Sequence, residues 1–283
     1  MSKIITMNSL SGGKTSSYIA AHYPADYNVF ALVRTNDRNC MFPDKKIRQI
    51  VSDKIGTEFI GTLEMDNIIY TMLDLEQFIG SKIDWVSGET FEDLVDKKGG
   101  YLPNIMSRYC TTELKMSPIF NFWRENVNKI VDMRIGFRAN EGRRASKMID
   151  RLNDKGVSEF KAIVGKSKKG NRNKWKGISW RVPKFPLIED GIYKDNIENY
   201  WQDKSVRFAM LNNCVGCFHR NPVLLKKMHD TNSNKMEFFN KLEENNKGFF
   251  KKDLSYKQII NSFSQIELSF DDFDECDSGY CGL

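Results

Sequence analysis

Ser9-Leu10-Ser11-Gly12-Gly13-Lys14-Thr15-Ser16 separates an apolar segment from a helical one, and its reading decides the fold. Before it, Lys3-Ile4-Ile5-Thr6-Met7 has the pattern of a short buried strand. After it, residues 15–22 have helical character, with Tyr18, Ile19 and Ala21 able to pack inward. Glycines let backbone amides approach an anion closely, and the start of a helix adds positive potential there. Hydroxyls and an ammonium group supply further donors. Ser9, Ser11, Gly12, Gly13, Lys14, Thr15 and Ser16 are therefore candidate nucleotide-phosphate ligands. The Gly13-Lys14-Thr15 ending does not make a Walker A loop, which needs a glycine five positions before Gly13, where Asn8 stands.

Working outward, residues 27–33 read as a second strand and 43–55 as a second helix, with Ile47, Ile50 and Val51 at helical spacing. Strand, glycine loop, helix, strand, helix opens a parallel α/β sheet. Helices are expected over 66–79, 91–97 and 112–127, and a strand over 129–137 that exits into Arg138-Ala139-Asn140-Glu141-Gly142. Ligands of open α/β sheets sit beyond the carboxyl ends of the strands, so the loops after Met7, Val33 and Phe137 are expected to converge. Residues 154–180 are rich in glycine and lysine and read as an irregular insertion or a hairpin. Helices over 195–202, 222–229, 235–242 and 256–263 complete the chain. The expected division is a nucleotide-binding α/β domain over 1–205 and a helical, cysteine-bearing part over 206–283.

At 283 residues the chain can bury a sizeable core. No run is long enough to cross a bilayer, and residues 1–7 are too short and interrupted for a signal peptide, so a cytoplasmic address without a membrane partner is expected. A reducing compartment disfavours structural disulfides and turns the six cysteines toward metal binding, redox work or nucleophilic chemistry. Cys40 stands alone and reads as a small buried apolar residue. The net charge of +6 suits an anionic ligand without demanding one. It is uneven: Lys166, Lys168, Lys169, Arg172, Lys174 and Lys176 form a basic run interleaved with Trp175 and followed by Trp180. Asp271, Asp272, Asp274, Glu275 and Asp277 form an acidic tail. Such runs are often plain solvated loops, and the basic one also fits a nucleic-acid partner.

Ser11-Gly12-Gly13-Lys14-x-Ser16 directly after a strand resembles the PP-loop of the adenine-nucleotide pyrophosphatase superfamily, although that family commonly has aspartate at the position of Thr15. Further segments follow in order. Arg34-Thr35-Asn36 with Phe42-Pro43-Asp44 is similar to the Thr-Gly and Phe-Pro-Glu-Thr stretch of the phosphoadenosine-phosphosulfate (PAPS) reductase family. Gly136-Phe137-Arg138, with Arg143 and Arg144 beyond, is similar to its Gly-x-Arg segment, and Pro186-Leu187 to its Pro-Leu helix start. Cys110-x-x-x-x-Lys115 with Pro118 looks like its cysteine–lysine segment, and Tyr280-Cys281-Gly282-Leu283 like its C-terminal Glu-Cys-Gly motif. The resemblance implies a parallel-sheet PP-loop (adenine nucleotide alpha hydrolase-like) domain. It implies that Thr35, Arg143 and Arg144 join the loop in binding PAPS or ATP, with Lys115 and Arg138 acting on the anionic groups. It also implies Cys281 as the nucleophile that takes the substrate sulfur.

Cys214-Val215-Gly216-Cys217 is a compact pair of soft ligands. In the branch of the family that carries an iron–sulfur cluster, a cysteine at the Cys110 position and a later C-x-x-C supply ligands. By that resemblance Cys110, Cys214, Cys217 and Cys276 would hold a 4Fe-4S cluster. Zinc on the same set, or a redox C-x-x-C without metal, fits the spacing equally. Three functions stay open: sulfonucleotide reduction with a thioredoxin-like reductant, ATP-dependent thiolation of tRNA or DNA with a sulfur donor, and a non-catalytic nucleotide sensor.

Overall fold

A computed structural model describes residues 3–166, 172–246 and 248–262. The chain begins β1 (Ile5–Leu10), α1 (Lys14–His22), β2 (Tyr27–Leu32), β3 (Arg34–Thr35), α2 (Lys45–Ile55), β4 (Gly61–Thr62), α3 (Asn67–Ile79) and β5 (Ile83–Ser87). Next come α4 (Phe91–Lys97) and α5 (Tyr109–Thr111), which runs through a π-helical turn, Thr112–Met116, into α6 (Ser117–Asn126). β6 (Val131–Arg134), α7 (Gly142–Ile149), β7 (Ser158–Lys166), β8 (Asn173–Lys184), α8 (Pro186–Glu189) and α9 (Lys194–Trp201) complete the sheet and its cover. The helices α10 (Pro222–Thr231), α11 (Ser233–Asn246) and α12 (Tyr256–Ile260) follow.

The main sheet has the order β5-β2-β1-β6-β8-β7 and is parallel except for β7, which runs against β8. A separate two-stranded pair joins β3 to β4. The central strands are apolar runs because helices cover both faces: in β2, Val29 to Leu32 are all buried. β1 pairs with β2 on one side and with β6 on the other, Met7 lying opposite both Tyr27 and Met133. The chain therefore reverses direction across the sheet between β1 and β6, as in Rossmann-like α/β folds. The crevice beyond the carboxyl ends of those two strands is where such sheets take ligands.

Asn8, the residue that breaks the Walker A spacing, is fully buried in β1. Its side-chain amide donates to Asn28 Oδ1 at 2.9 Å and to the Tyr23 carbonyl at 3.0 Å. Arg134 of β6 donates to the Tyr23 and Pro24 carbonyls at 2.7 and 2.9 Å. This polar clasp ties β1, β2 and β6 together through the turn between α1 and β2. α2 starts on Asp44, whose carboxylate accepts from the Lys46 and Ile47 amides, and ends on left-handed Gly56.

Two apolar clusters fill the space on the sheet's faces. One gathers Ile19, Phe30, Phe42, Met72, Trp85 and Trp201, the other Met7, Phe120, Trp123, Met133 and Trp180. A third joins the described C-terminal helices to the earlier chain: Leu225, Met228, Phe239, Phe250 and Tyr256 pack with Val33, Leu63, Phe91, Leu94 and Leu114. Residues beyond 205 thus share their core with the α/β part. Within the stretch 154–180, β7 and the first part of β8 pair antiparallel as the two strands of a hairpin. The last residues of β8 enter the sheet beside β6, Val131 opposite Arg181. Trp180, read with the basic run, is a core residue and only 1% exposed. No helix among the described residues is long and apolar enough to cross a membrane.

Candidate functional site

The first wall of the crevice is the glycine loop. Ser16 Oγ donates to the Gly13 carbonyl at 3.1 Å and accepts from the Ser11 amide at 3.2 Å, which folds the loop over the start of α1. Gly13 is the N-cap of α1 and supplies no side-chain cap, so this helix start faces the crevice through backbone alone. A Cβ on Gly13 would fall 2.1 Å from Asn212 Nδ2, so any other residue there would have to displace the Asn212 side chain. Ser9, Ser11, Gly13, Thr15 and Ser16 all line the cleft. Gly12, in the left-handed region at φ +77°, does not. It lies against Ile68 of α3 and serves the turn.

Lys14 is also absent from the cleft wall. Its ammonium pairs with Glu198 of α9, and its carbonyl accepts from Trp201 Nε1 at 3.0 Å. The cleft's positive charge comes instead from the opposite side. Arg138 and Arg144 are both held by Glu141, Arg138 Nε at 3.2 Å from Oε2 and Arg144 in an ion pair with Oε1. The Arg144 guanidinium also lies 4.1 Å over the Phe137 ring, which stacks on Phe185. Arg143, the next residue to Arg144, is exposed on α7 and does not line the cleft. Thr35 is buried in β3, where its hydroxyl donates to Glu92 Oε1 at 3.0 Å, and it too lies away from the cleft.

Lys115 arises from the π-helical turn, a local widening that recurs at functional sites. Its Nζ lies 2.8 Å from Glu64 Oε1, and Glu64 is 1% exposed. Lys235 Nζ donates to the Glu64 carbonyl and to Asp66 Oδ1, both at 2.6 Å, fixing the backbone that carries this carboxylate. Lys115 is shared by two cavities. On one side is the cleft; on the other is a mostly apolar pocket lined by Cys110, Cys214, Cys217, His219, Phe239 and Phe250. Asn213 is the second shared wall residue. It is buried and left-handed, φ +71°, an uncommon state for a residue with a side chain.

The segment from Asn212 to Arg220 carries both the cleft wall and the C-x-x-C. Gly216 sits under Phe239, and a Cβ there would fall 2.3 Å from Phe239 Cδ2. The Tyr256 hydroxyl donates to the Gly216 carbonyl at 2.9 Å. Buried Arg220 donates to the carbonyls of Asn212, Asn213 and Cys214, at 2.5, 3.3 and 3.2 Å. Lys251 holds the far end through the Phe218 and Arg220 carbonyls, each at 2.9 Å.

The structure thus brings Cys110, Cys214 and Cys217 to one pocket. Among the described residues, however, no three His, Cys, Asp or Glu side chains form a group able to hold a metal ion. Both metal readings also call on Cys276, and no chemistry is routed through either. Cys276, Cys281 and the acidic tail lie outside the described residues. Sequence reasoning missed Glu64, Glu141, Glu198, Asn212 and Asn213. Of these only Glu141 carried a signal, its place in the polar exit after the third predicted strand.

Thiol chemistry follows from burial. Burial pushes the Cys40 thiol up to about 12, and Sγ–H donates to the Asn234 carbonyl at 3.7 Å, as befits a packed residue. Burial also raises the Cys110 thiol, while Thr111 and then the charges of Lys115 and Arg108 pull it partly back. In the folded protein at pH 8, Cys40 is expected to stay unmodified by iodoacetamide and Cys110 to react well below the rate of an unfolded thiol. Peptide mass spectrometry over a time course checks this, and Cys110 labelling at the unfolded rate would refute the burial argument.

Compared with known proteins, this chain matches no family model, and neither a curated protein nor a solved structure gives a significant match.

Proposed function

We propose that the chain is a PP-loop enzyme that binds an adenine nucleotide or sulfonucleotide in the cleft and performs cysteine-based sulfur chemistry beside it. The observation that carries the reading is the shared wall. Lys115 and Asn213 border the anion-suited cleft on one side and the thiol pocket on the other. A phosphate on the glycine loop would meet the start of α1, the Ser11 and Ser16 hydroxyls, and the forks of Arg138 and Arg144. Lys115 would neutralise charge on the group nearest the thiols.

In the reductive form of this chemistry, suggested by the resemblance to PAPS reductases, a cysteine thiolate attacks the sulfonate sulfur. The sulfur–oxygen bond to phosphate breaks and the nucleotide bisphosphate leaves. A second thiol then displaces sulfite and forms a disulfide. Cys281 is the proposed nucleophile, and a thioredoxin-like protein the proposed reductant.

The test is product identity under anaerobic conditions. Sulfite from PAPS, abolished in Cys281→Ser, is the expected result. AMP and pyrophosphate from ATP would replace it with ATP-dependent sulfur transfer. Binding of either nucleotide without turnover would leave a sensor, and binding of neither would overturn the nucleotide reading.

A further inference from the structure

The β7–β8 hairpin is cationic beyond what the fold requires. Its inner face does the packing: Phe160, Ala162, Ile178 and Trp180 join the cluster around Phe120. Past that point both strands continue into solvent, carrying exposed Lys161, Lys166, Arg172, Lys174 and Lys176. None of the five forms an ion pair among the described residues. The one acid on the two strands, Glu159, is occupied by Asn153 and Ser179. On the outer face Ile163 lies opposite Trp175, and the two are 47% and 59% exposed. Lys161 stands opposite Gly177, and the Glu159 carboxylate lies over that glycine, its Oε2 2.4 Å from where a Cβ would sit.

The positive surface does not stop at the arm. α7, whose Arg144 lines the cleft, exposes Arg143 and Lys147 at a spacing of four, and exposed Arg151 follows at the same interval. Ala145 and Met148 of that helix pack in the cluster that anchors the arm, so helix and hairpin are fixed to one core. An exposed tryptophan beside an isoleucine, on a ribbon that carries unpaired cations, is an apolar spot suited to a stacking partner.

We infer that the hairpin is a binding arm for single-stranded nucleic acid, with Trp175 as a base-stacking platform and its lysines on the phosphates. Adjacent residues of a strand point to opposite faces, so Lys174 and Lys176 project from the side opposite Trp175. A ribbon that is cationic on both faces suits a polyanion that wraps it, whereas a membrane surface would meet one face alone. The inference does not require the cleft to hold a nucleotide, because no arm residue lines it.

The experiment is fluorescence anisotropy of the full chain with labelled 20-nucleotide RNA and DNA of one mixed sequence, titrated at several salt concentrations. Binding of one or both is expected, and the preference names the polymer. Trp175→Ala is expected to weaken it about tenfold. The triple variant Lys161→Ser, Lys174→Ser, Lys176→Ser is expected to reduce the salt slope by about 2, at about 0.7 per lost phosphate contact. A control on exposed α2 lysines, Lys45→Ser with Lys46→Ser, is expected to change little. No binding to either oligonucleotide, indifference to Trp175→Ala, or an equal loss in the α2 control would overturn the inference. Trp175-dependent capture by phosphatidylserine vesicles without oligonucleotide binding would overturn it in favour of a membrane surface. None of these outcomes touches the nucleotide-cleft reading, which rests on other residues and another assay.

Discussion

Lys115→Met is expected to lower the unfolding free energy by about 3–5 kcal/mol, because it strands a buried carboxylate. Glu64 Oε1 has Lys115 as its partner, and Oε2 is buried with no hydrogen bond. Removing the ammonium therefore leaves a charge that neither water nor protein compensates. Lys235 nearby is bound to the Glu64 carbonyl and to Asp66, so it is not free to substitute. The double variant Lys115→Met with Glu64→Gln should recover most of the loss, since the orphaned charge goes too. Guanidinium unfolding of the four species measures the coupling. A single-variant loss below about 1 kcal/mol would mean that Glu64 is rehydrated or protonated at little cost. The same substitution should weaken anion binding in the cleft, and the double variant should not restore it. That separates a role toward ligand from a role in the fold.

Gly216→Ala is the second large effect, expected to cost about 1–3 kcal/mol through overpacking. The added methyl would lie within 3 Å of three Phe239 ring atoms. That ring is wedged between Phe91 and Phe250, at 5.4 and 5.5 Å between centroids, so it cannot simply swing away. The turn must move instead, carrying Cys214 and Cys217 with it. Their alkylation rates should therefore change alongside the thermal midpoint. Gly142→Ala on α7 is the control, for a methyl there meets nothing within 4 Å and a helical site favours alanine. Equal behaviour of the two variants would remove the packing argument.

The sequence made the first half of the sheet legible because glycine and polar breaks punctuate it cleanly. The helix expected over 91–97 is α4 to the residue, started by the Thr90 hydroxyl on the Asp93 amide. β5 escaped notice because it is five residues long and follows closely on an apolar helix. Of β8, the exposed arm falls in the stretch read as an insertion or hairpin, but its last residues, which enter the sheet beside β6, escaped because that stretch is rich in lysine and glycine. At the site, proximity in sequence was readable and direction was not. Arg143 and Arg144 are neighbours, yet a helix turns about 100° per residue, so one faces the cleft and the other water. Lys14 sits on the loop as expected but leans toward Glu198, a residue 184 positions away that no motif marks. Asn212 and Asn213 carry no local signature, since their importance comes from the backbone opposite them.

The clamp that Arg220 and Lys251 place on the loop has a consequence for affinity. Five carbonyl contacts fix the chain from Asn212 to Arg220 before anything arrives. A flexible wall would have to be ordered by its ligand, at about 0.5–1.5 kcal/mol for each mobile side chain it immobilised. Here buried Arg220 and half-buried Lys251 have done that ordering during folding. An anion bound there, as proposed, would spend its interaction energy on contacts rather than on building the room it occupies.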